Sequence, residues 1–348
     1  MQGIVIGERE IGQNHVPFVI AEIGINHEGD IDKATRMVKD AHVAGAECVK
    51  FQSHIIDDEM THHAKNTIPG NASESIYTIM ERCALTEAET IYLKELVESL
   101  GMIYLSTPFS RSSADRLENL GVQAYKIGSG ECNNYPLIEH ISRFKKPIIL
   151  STGMNDIETI APAVEIFRKY GLPFALLHCT SIYPTPYNKV RLGALNELRL
   201  SFPDAVVGLS DHSIGNYTCF GAVALGASIL EKHFTSDKDW EGPDVPISID
   251  PSELQDLVLG SSVIHNSLGG HKSILDEEKP TIDFAYASVV AIRDINKGDQ
   301  FTEENIWVKR PGTGEILARD FELVLGKTCS QNIKKDSQIL KSWVVPSL

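Results

Sequence analysis

Cysteine is scarce in this chain, and its few thiols are far apart. The 348 residues include six cysteines, with no C-x-x-C pair and no dense cluster. Small secreted domains that cannot build a large core depend on closely spaced disulfides. The spacing therefore excludes a disulfide-stapled secreted module and indicates reduced thiols.

An excess of basic charge is also missing. The 32 lysines and arginines face 47 aspartates and glutamates, which gives a formal net charge of -15 at pH 7. This balance opposes binding to nucleic acid or to an anionic membrane surface, because the long-range field repels both. We expect neither as a partner, and any anionic substrate must be bound by local cations.

Long apolar runs are absent as well. Residues 1–20 lack the basic segment followed by an apolar segment that marks a secretion signal. No run approaches the roughly 20 apolar residues that a membrane-spanning helix needs. These features predict a cytosolic protein.

The chain does contain a regular alternation of short apolar runs and stretches of helical period. A small hairpin is predicted over residues 3–12, ahead of the first long element. Eight alternating strands and helices favour a (β/α)8 barrel over a doubly wound sheet. The predicted strands are residues 18–23, 48–52, 103–106, 124–127, 147–151, 174–178, 206–209 and 229–233.

The character of the sequence changes after the last predicted helix. We predict a catalytic barrel with its hairpin over residues 1–272, a linker over 273–284 and a small second domain over 285–348. Within the barrel, the connection over residues 53–85 is unusually long. Connections of that length in a compact domain are typical of functional segments.

Polar or ionisable residues lie at or directly after the carboxyl ends of all eight predicted strands. In barrels of this type the reacting groups lie at the carboxyl ends of the strands. One polar residue after a strand usually marks only the start of a loop, but eight together indicate a site. They include Glu22, Lys50, Gln52, Thr107, Lys126, Ser129, Ser151, Ser181, Tyr183, His212 and His233.

Lys50 and Lys126 are the strongest individual signals in this ring. A lysine near the axis of a barrel is costly unless an anion or a carboxylate meets it. Hydroxyls beside glycines, as in Ser151-Thr152-Gly153, offer further donors to an anion. The pattern predicts a site for a small multiply charged anion. A Schiff-base role for either lysine stays open.

His212 and His233 lie at the ends of consecutive predicted strands. Parallel strands joined by a crossover helix emerge side by side, so both imidazoles can face one point. Two histidines with oxygen donors suit a divalent ion such as manganese, which would polarise a carbonyl. Glu22 is then a candidate for proton transfer. The alternatives are that each histidine caps its strand, and that Glu22 only pairs with Lys50 or Lys126.

Ten short segments carry a family likeness. They are AEIGINHEGD (21–30), IPGNA (68–72), STPFS (106–110), YKIGSGECNNYPL (125–137), LSTGM (150–154), YPTPY (183–187), GLSDH (208–212), LEKHFT (230–235), GPD (242–244) and WVKRPG (307–312). With this combination, the chain resembles the bacterial N-acetylneuraminate (sialic acid) synthases along nearly its whole length.

The resemblance implies a phosphoenolpyruvate-condensing barrel followed by an antifreeze-like (SAF) domain, with manganese or a similar divalent ion as cofactor. Such enzymes join phosphoenolpyruvate, N-acetylmannosamine and water into N-acetylneuraminic acid and phosphate, and the resemblance implies this reaction, with N-acetylmannosamine as the preferred acceptor, for this chain. The implied roles are acid/base catalysis by Glu22, metal binding by His212 and His233, phosphoenolpyruvate binding by Lys50, Thr107, Lys126, Ser129, Ser151, Ser181 and Ser210, and sugar binding by Gln52, Asn71, Tyr183, Asp244 and Arg310.

Arg310 resembles the arginine that, in this family, reaches into the site of the partner subunit. The resemblance thus implies a domain-exchanged homodimer. The chain departs from several bacterial relatives at Ser181, where they have asparagine, and at residues 51–54, where they often read HQTH. Synthases of legionaminic or pseudaminic acid, which use diacetamido-trideoxyhexoses, stay open as alternatives. So do a Schiff-base aldolase and a non-catalytic sugar-binding protein.

Overall fold

A computed structural model describes residues 3–70 and 72–346, and the chain forms two compact units. The first unit spans Met1–Leu268 and the second spans Gly269–Leu348. No helix within the described ranges is both long and apolar enough to cross a lipid bilayer. All six cysteines are buried free thiols.

The first unit is a (β/α)8 barrel that begins with an antiparallel hairpin. Eight parallel strands form one sheet in the order β5-β4-β3-β10-β9-β8-β7-β6, and the edge strands β5 and β6 lie side by side, so the sheet nearly closes. The strands are β1 (Ile4–Ile6), β2 (Arg9–Ile11), β3 (Phe18–Gly24), β4 (Cys48–Ser53), β5 (Ile103–Pro108), β6 (Tyr125–Ile127), β7 (Ile148–Ser151), β8 (Phe174–Cys179), β9 (Val206–Asp211) and β10 (Ile229–His233).

The hairpin and the eight barrel strands confirm the sequence prediction to within two residues at each end. Helices surround the sheet and cover its outer face with apolar side chains. They are α1 (Ile31–Val43), α2 (Ile56–Glu59), α3 (Ile76–Cys83), α4 (Glu87–Ser99), α5 (Arg111–Leu120), α6 (Tyr135–Ser142), α7 (Ile157–Tyr170), α8 (Tyr187–Val190), α9 (Ala194–Ser201), α10 (Tyr217–Ala224) and α11 (Pro251–Ser267).

Local signals in the sequence explain where these helices begin and end. In α7, the Asp156 side chain accepts a hydrogen bond from the backbone N–H of Thr159, and Gly171 ends the helix in a left-handed conformation at φ +67°. An acidic N-cap satisfies a free backbone donor, and glycine adopts a positive φ without a steric penalty. These caps fix the lengths of the connections that follow and hence the register of the strands.

Side chains alternate between the inside and the outside of the barrel, because successive residues of a strand point to opposite faces. The interior at the amino ends of the strands is apolar and is closed by the hairpin. There Ile6 and Ile11 pack against Phe18, Ile20 and Ile229. Two residues further along the strands, the inward positions become polar. The barrel interior is therefore an apolar core at the amino ends of the strands and a charged site at their carboxyl ends.

Gly208 shows how tightly the interior is packed. A Cβ atom built there would lie 2.4 Å from the carbonyl oxygen of Ile229 and 2.6 Å from the Leu177 side chain. Any larger residue would push β9 away from β10. The glycine thus keeps β9 close to β10 at Ile229, the first residue of β10.

The second unit has its own apolar core around Val289, Phe301 and Ile306. Its elements are α12 (Lys279–Ala285), β11 (Ser288–Ala291), β12 (Ile306–Lys309), β13 (Thr328–Cys329) and β14 (Val344–Val345). Strand β11 pairs antiparallel with β12, and β13 pairs with β14. Short paired strands around one compact core are what a module of this size can support.

His27 makes the barrel sensitive to acid. Burial lowers the pKa of His27 to about 4, and its Nδ1 accepts a hydrogen bond from the Gly29 N–H at 3.0 Å. Below pH 6.5 the unfolded chain binds the proton and the folded chain does not, so stability falls as the pH drops toward 4. We expect a loss of about 2 kcal/mol at pH 5 from this group.

Urea unfolding of the wild type and His27→Gln at pH 7 and pH 5 checks this expectation. Groups other than His27 contribute equally to both proteins, so they cancel in the comparison. The variant should lose less stability than the wild type between the two pH values. Equal losses would show that the histidine is not buried in its neutral form.

Candidate functional site

Two lysines and two carboxylates form a buried charge cluster at the carboxyl ends of the strands. Nζ of Lys50 lies 2.7 Å from Oε2 of Glu22 and 3.8 Å from Oε2 of Glu231. Nζ of Lys126 lies 3.5 Å from Oε1 of Glu231. All four side chains are at most 7% exposed. Glu231 was not among the predicted site residues, although its position two residues from both Ile229 and His233 on one strand could have indicated it.

The pKa values of this cluster follow from burial opposed by pairing. Burial raises the pKa of Glu22 to about 7, although the Lys50 ammonium favours its carboxylate. Burial also favours the neutral form of Glu231, but Lys126 and Lys50 outweigh it and lower that pKa. Lys126 itself has a lowered pKa because it is desolvated. Glu22 is therefore the group best placed to exchange a proton near neutral pH.

Hydroxyl groups surround both lysines. Nζ of Lys50 donates to Oγ1 of Thr107 at 3.1 Å, and Nζ of Lys126 donates to Oγ of Ser151 at 2.7 Å. Ser210 donates from its Oγ to Oε1 of Glu231 at 3.0 Å. Five of the residues predicted to bind the anion thus lie in one cradle. Ammonium and hydroxyl donors on a buried surface can surround the oxygens of a small anion.

The remaining two predicted anion-binding residues lie together on the neighbouring rim. The N–H of Gly153 donates to Oγ of Ser129 at 3.0 Å. A Cβ atom at Gly153 would lie 2.4 Å from Oγ of Ser181 and 3.1 Å from Sγ of Cys179. Ser181 Oγ is buried and has no hydrogen-bond partner within residues 3–70 and 72–346. The glycine leaves room for a hydroxyl that is available to a ligand.

The two histidines face each other across the ends of β9 and β10. The ring centroids of His212 and His233 are 5.4 Å apart, and Tyr183 stacks on His212 at 4.2 Å. Nδ1 of His212 lies 3.0 Å from the carbonyl oxygen of Thr180, which directs its Nε2 away from that carbonyl. Burial lowers the pKa of His233 well below its ordinary value. The neutral imidazole that burial favours at His233 is the form that binds a metal.

A buried ion pair links β9 and β10 next to the two histidines. Nζ of Lys232 lies 2.6 Å from Oδ2 of Asp211, and the Lys232 side chain is fully buried. Thr218 and Ser213 also donate to that carboxylate, at 2.7 and 2.9 Å. Each residue of the pair is adjacent in sequence to one histidine, so the contact fixes the spacing of the imidazoles. Neither Lys232 nor Asp211 was among the predicted site residues.

The donor set at the histidines fits a divalent cation. Nδ1 of His233 is buried without a hydrogen-bond partner in the described part of the chain, and it lies 3.9 Å from Oδ2 of Asp244. Burial raises the pKa of Asp244 to about 6. Among residues 3–70 and 72–346, no three His, Cys, Asp or Glu side chains form a complete ligand cluster. An ion held here would keep positions open for substrate or water.

A cavity of about 240 Å³ opens beside the histidines. Gln52, Tyr183, His233 and Asp244 provide its polar lining. The other lining residues are apolar, and several belong to the long connection after β4: Ile25, Pro69, Ala72, Ile76, Ile79, Met80, Phe109 and Pro243. Three predicted sugar-binding residues therefore share one cavity with a predicted metal ligand. The long connection builds one of its walls.

Two predicted sugar-binding residues are not placed in this cavity. Asn71 lies outside the described residues. Arg310 is exposed in the second unit, directly after β12. Its predicted role depends on a second chain and stays a prediction.

Comparisons with known proteins give the context for this site. The family model described as "NeuB family" matches residues 37–273, and the model described as "SAF domain" matches residues 286–345. The N,N'-diacetyllegionaminic acid synthase of Campylobacter jejuni is 39% identical over 92% of this chain and 98% of its own length. The protein of the same name from Legionella pneumophila is 36% identical over 96% of each chain.

A solved structure supports the same relationship. The N-acetylneuraminic acid synthetase of Leptospira borgpetersenii, in complex with citrate, superposes with a TM-score of 0.74 and 33% identity. The match covers 81% of this chain and 95% of that one. More than half of the chain thus matches one family model.

Proposed function

We propose that this chain, which belongs to the NeuB family, condenses phosphoenolpyruvate with an N-acylated hexosamine and water to give a nine-carbon α-keto acid and phosphate. Two of its relatives are synthases of N,N'-diacetyllegionaminic acid, which supports a synthase as the enzyme type. One observation carries the proposal: a buried cradle of two lysines and several hydroxyls lies beside a histidine pair and a sugar-sized cavity. The free thiols support a cytosolic location.

The cradle is suited to phosphoenolpyruvate. Lys50 and Lys126 supply two cations inside a water-excluded site, where pairing with a phosphate or carboxylate is strong. Ser129, Ser181 and the backbone at Gly153 offer further donors at one rim. The enol carbon can then be held facing the cavity that takes the acceptor.

His212 and His233 would hold the divalent ion, which we propose to be manganese. When bound, such an ion polarises the aldehyde of the open-chain sugar. The Lys232–Asp211 pair keeps the two imidazoles at a fixed spacing. Tyr183 packs against both rings and closes one side of the site.

Glu22 is the proposed acid/base group. Its pKa of about 7 makes both the carboxyl and the carboxylate available at neutral pH. It can release a proton to the oxygen that develops from the aldehyde when the methylene carbon of phosphoenolpyruvate bonds to it. It can then accept a proton from the water that attacks the neighbouring carbon, which bears the phosphate. The bond from that carbon to the phosphate oxygen then breaks, phosphate leaves, and the hydroxyl that remains loses its proton to become the keto group.

The acceptor that the cavity favours is a diacetamido-trideoxyhexose. Its eight apolar lining residues suit a deoxy carbon and acetyl methyl groups better than free hydroxyls. The legionaminic acid synthases at 39% and 36% identity point the same way. N-acetylmannosamine is the second candidate, supported by the Leptospira structure at 33% identity.

A second copy of the chain completes the proposed enzyme. Arg310 belongs to the second unit and follows β12 in the segment WVKRPG. We propose that it reaches the acceptor site of a partner subunit in a domain-exchanged homodimer. An arginine there would supply donors to an acyl carbonyl or a hydroxyl of the sugar.

Phosphate release with different acceptors tests the proposal. Purified enzyme with Mn²⁺ and phosphoenolpyruvate is supplied with N-acetylmannosamine or with a diacetamido-trideoxyhexose of the legionaminic or pseudaminic acid series. We expect kcat/KM to be about 10- to 100-fold higher for one of the diacetamido sugars, since mismatched groups in an apolar pocket cost this much. Chelation of the metal should abolish release.

Other outcomes have distinct meanings in this assay. Faster release with N-acetylmannosamine would move the assignment to the second candidate. No release with any of the sugars would exclude the condensation. An adduct trapped by borohydride, with activity that resists chelators, would identify a Schiff-base aldolase instead.

A further inference from the structure

A chain of hydrogen bonds runs from a short helix to the proposed acid/base group. Oε2 of Glu59 lies 2.8 Å from Nδ1 of His54, and Nε2 of His54 lies 3.0 Å from Oε1 of Gln52. Nε2 of Gln52 then donates to Oε1 of Glu22 at 3.4 Å. Four side chains are thus linked in sequence, and the last two belong to the proposed site.

The middle of this chain is held firmly. His54 is 4% exposed, and its ring stacks on Phe109 with centroids 4.7 Å apart and an interplanar angle of 11°. The Glu59 side chain is 9% exposed. A buried ring with one face covered and both nitrogens engaged has little freedom to rotate. His54 is therefore an anchor for the group that it contacts.

The contacts of Gln52 on its two sides show the direction of its amide. The carboxylate of Glu59 only accepts, so Nδ1 of His54 donates to it. Nε2 of His54 lies 3.0 Å from the amide oxygen of Gln52, and the amide nitrogen lies 3.4 Å from Oε1 of Glu22. The amide NH₂ therefore faces Glu22 and the cavity that Gln52 lines.

We propose that His54, braced by Glu59, is a positioning residue that fixes the Gln52 amide with its NH₂ toward Glu22 and the acceptor sugar. The inference rests on the proposed function, and it adds a part to the acceptor side of that site. His54 and Glu59 do not touch the cavity themselves. Their effect must pass through Gln52, and the phosphoenolpyruvate cradle should not sense it.

His54→Phe tests this role, because phenylalanine keeps a flat ring on Phe109 and removes both hydrogen bonds. We expect kcat/KM for the acceptor to fall about 10- to 100-fold, while KM for phosphoenolpyruvate stays within about twofold. In a protein that already carries Gln52→Ala, adding His54→Phe should lower kcat/KM for the acceptor by less than about a further twofold. The reason is that the route through Gln52 is already lost.

A graded pair of variants gives an independent measurement. Glu59→Leu removes the brace and should lower acceptor kcat/KM severalfold, whereas Glu59→Gln keeps an acceptor oxygen for Nδ1 and should restore most of it. If His54→Phe does not fold, the same cycle is run with Glu59→Leu. Melting curves of all variants report whether folding is retained.

The chain offers a matched control elsewhere on the barrel. His140 lies 2.7 Å from Oδ1 of Asp115 and meets Phe144 edge-on at 5.2 Å, so it repeats the acid, histidine and aromatic arrangement. It makes no contact with Gln52 among the hydrogen bonds and ring contacts of the described residues. His140→Phe should retain wild-type kinetics for both substrates.

The possible outcomes distinguish a failure of the positioning role of His54 from a failure of the proposed condensation. Losses that are additive in the Gln52→Ala background, or an equal rise in KM for phosphoenolpyruvate, would overturn the positioning role while the condensation stands. A wild type without turnover on any acceptor would remove the condensation and this inference with it. Coupled losses confined to the acceptor support both.

Discussion

Glu22→Gln is expected to reduce turnover by about 10³-fold or more while the barrel stays folded. Glutamine has the same shape but cannot exchange a proton, and the elevated pKa of Glu22 indicates a group that titrates near neutral pH. The variant should still bind phosphoenolpyruvate, because both lysines of the cradle remain. Phosphate release and calorimetric binding of phosphoenolpyruvate measure the two properties separately.

A matched control for this variant is Glu139→Gln. Glu139 pairs with Lys169 at 2.8 Å on the outer helices and should be neutral for turnover. Activity of Glu22→Gln within about tenfold of the wild type would reduce Glu22 to a salt-bridge partner of Lys50. That alternative was left open by the sequence.

The same variant tests the proposed exchange of domains. In a mixed dimer of Glu22→Gln with Arg310→Ala, one site combines an intact barrel with an intact arginine from the other chain. Random mixing of the two inactive proteins should therefore recover about a quarter of wild-type activity. Mixtures that stay inactive after co-refolding, or a protein that is monomeric by light scattering, would contradict the shared site.

The second large effect is expected for His212→Ala. Removing one of two imidazoles should lower affinity for Mn²⁺ by more than about 10²-fold and turnover by a similar or larger factor. The alanine also opens space beside Tyr183 and His233, so the metal content of the folded protein is the decisive readout. Electron paramagnetic resonance of Mn²⁺ titrations gives that readout without turnover.

A buried histidine on the neighbouring strand serves as the control. His178 lies on β8, and its Nε2 is 2.6 Å from the carbonyl oxygen of Val190, away from the histidine pair. The folded fraction of the His178→Gln variant should still bind the metal. Undiminished metal binding and turnover in His212→Ala would remove the metal site and favour a role for this histidine as a strand cap.

The fold could be predicted because its signals are local. Every barrel strand is a short apolar run, since strands covered on both faces carry apolar residues at nearly all positions. The change to polar residues at Glu22 or Lys50 marks the end at which substrates bind in such barrels. The periodicity of the sequence is sufficient for both conclusions.

The geometry of the candidate site was harder to predict, because it depends on registers between strands. His54 lies in a segment that departs from a family pattern at Phe51 and Ser53, and only its contacts with Glu59, Phe109 and Gln52 indicate a role. Glu231 gave a weak signal because one carboxylate in a strand has many interpretations. Its position between Lys50 and Lys126 is a property of the closed barrel.

The sequence by itself determined the barrel, the end that carries the site and the residue types gathered there. The tertiary structure decided which of these residues meet, as in the pairing of Lys232 with Asp211 behind the two histidines. It also decided the pKa of Glu22, because that value depends on burial and on the distance to Lys50. Composition and spacing carry no information on either quantity, since both arise only when distant segments pack together.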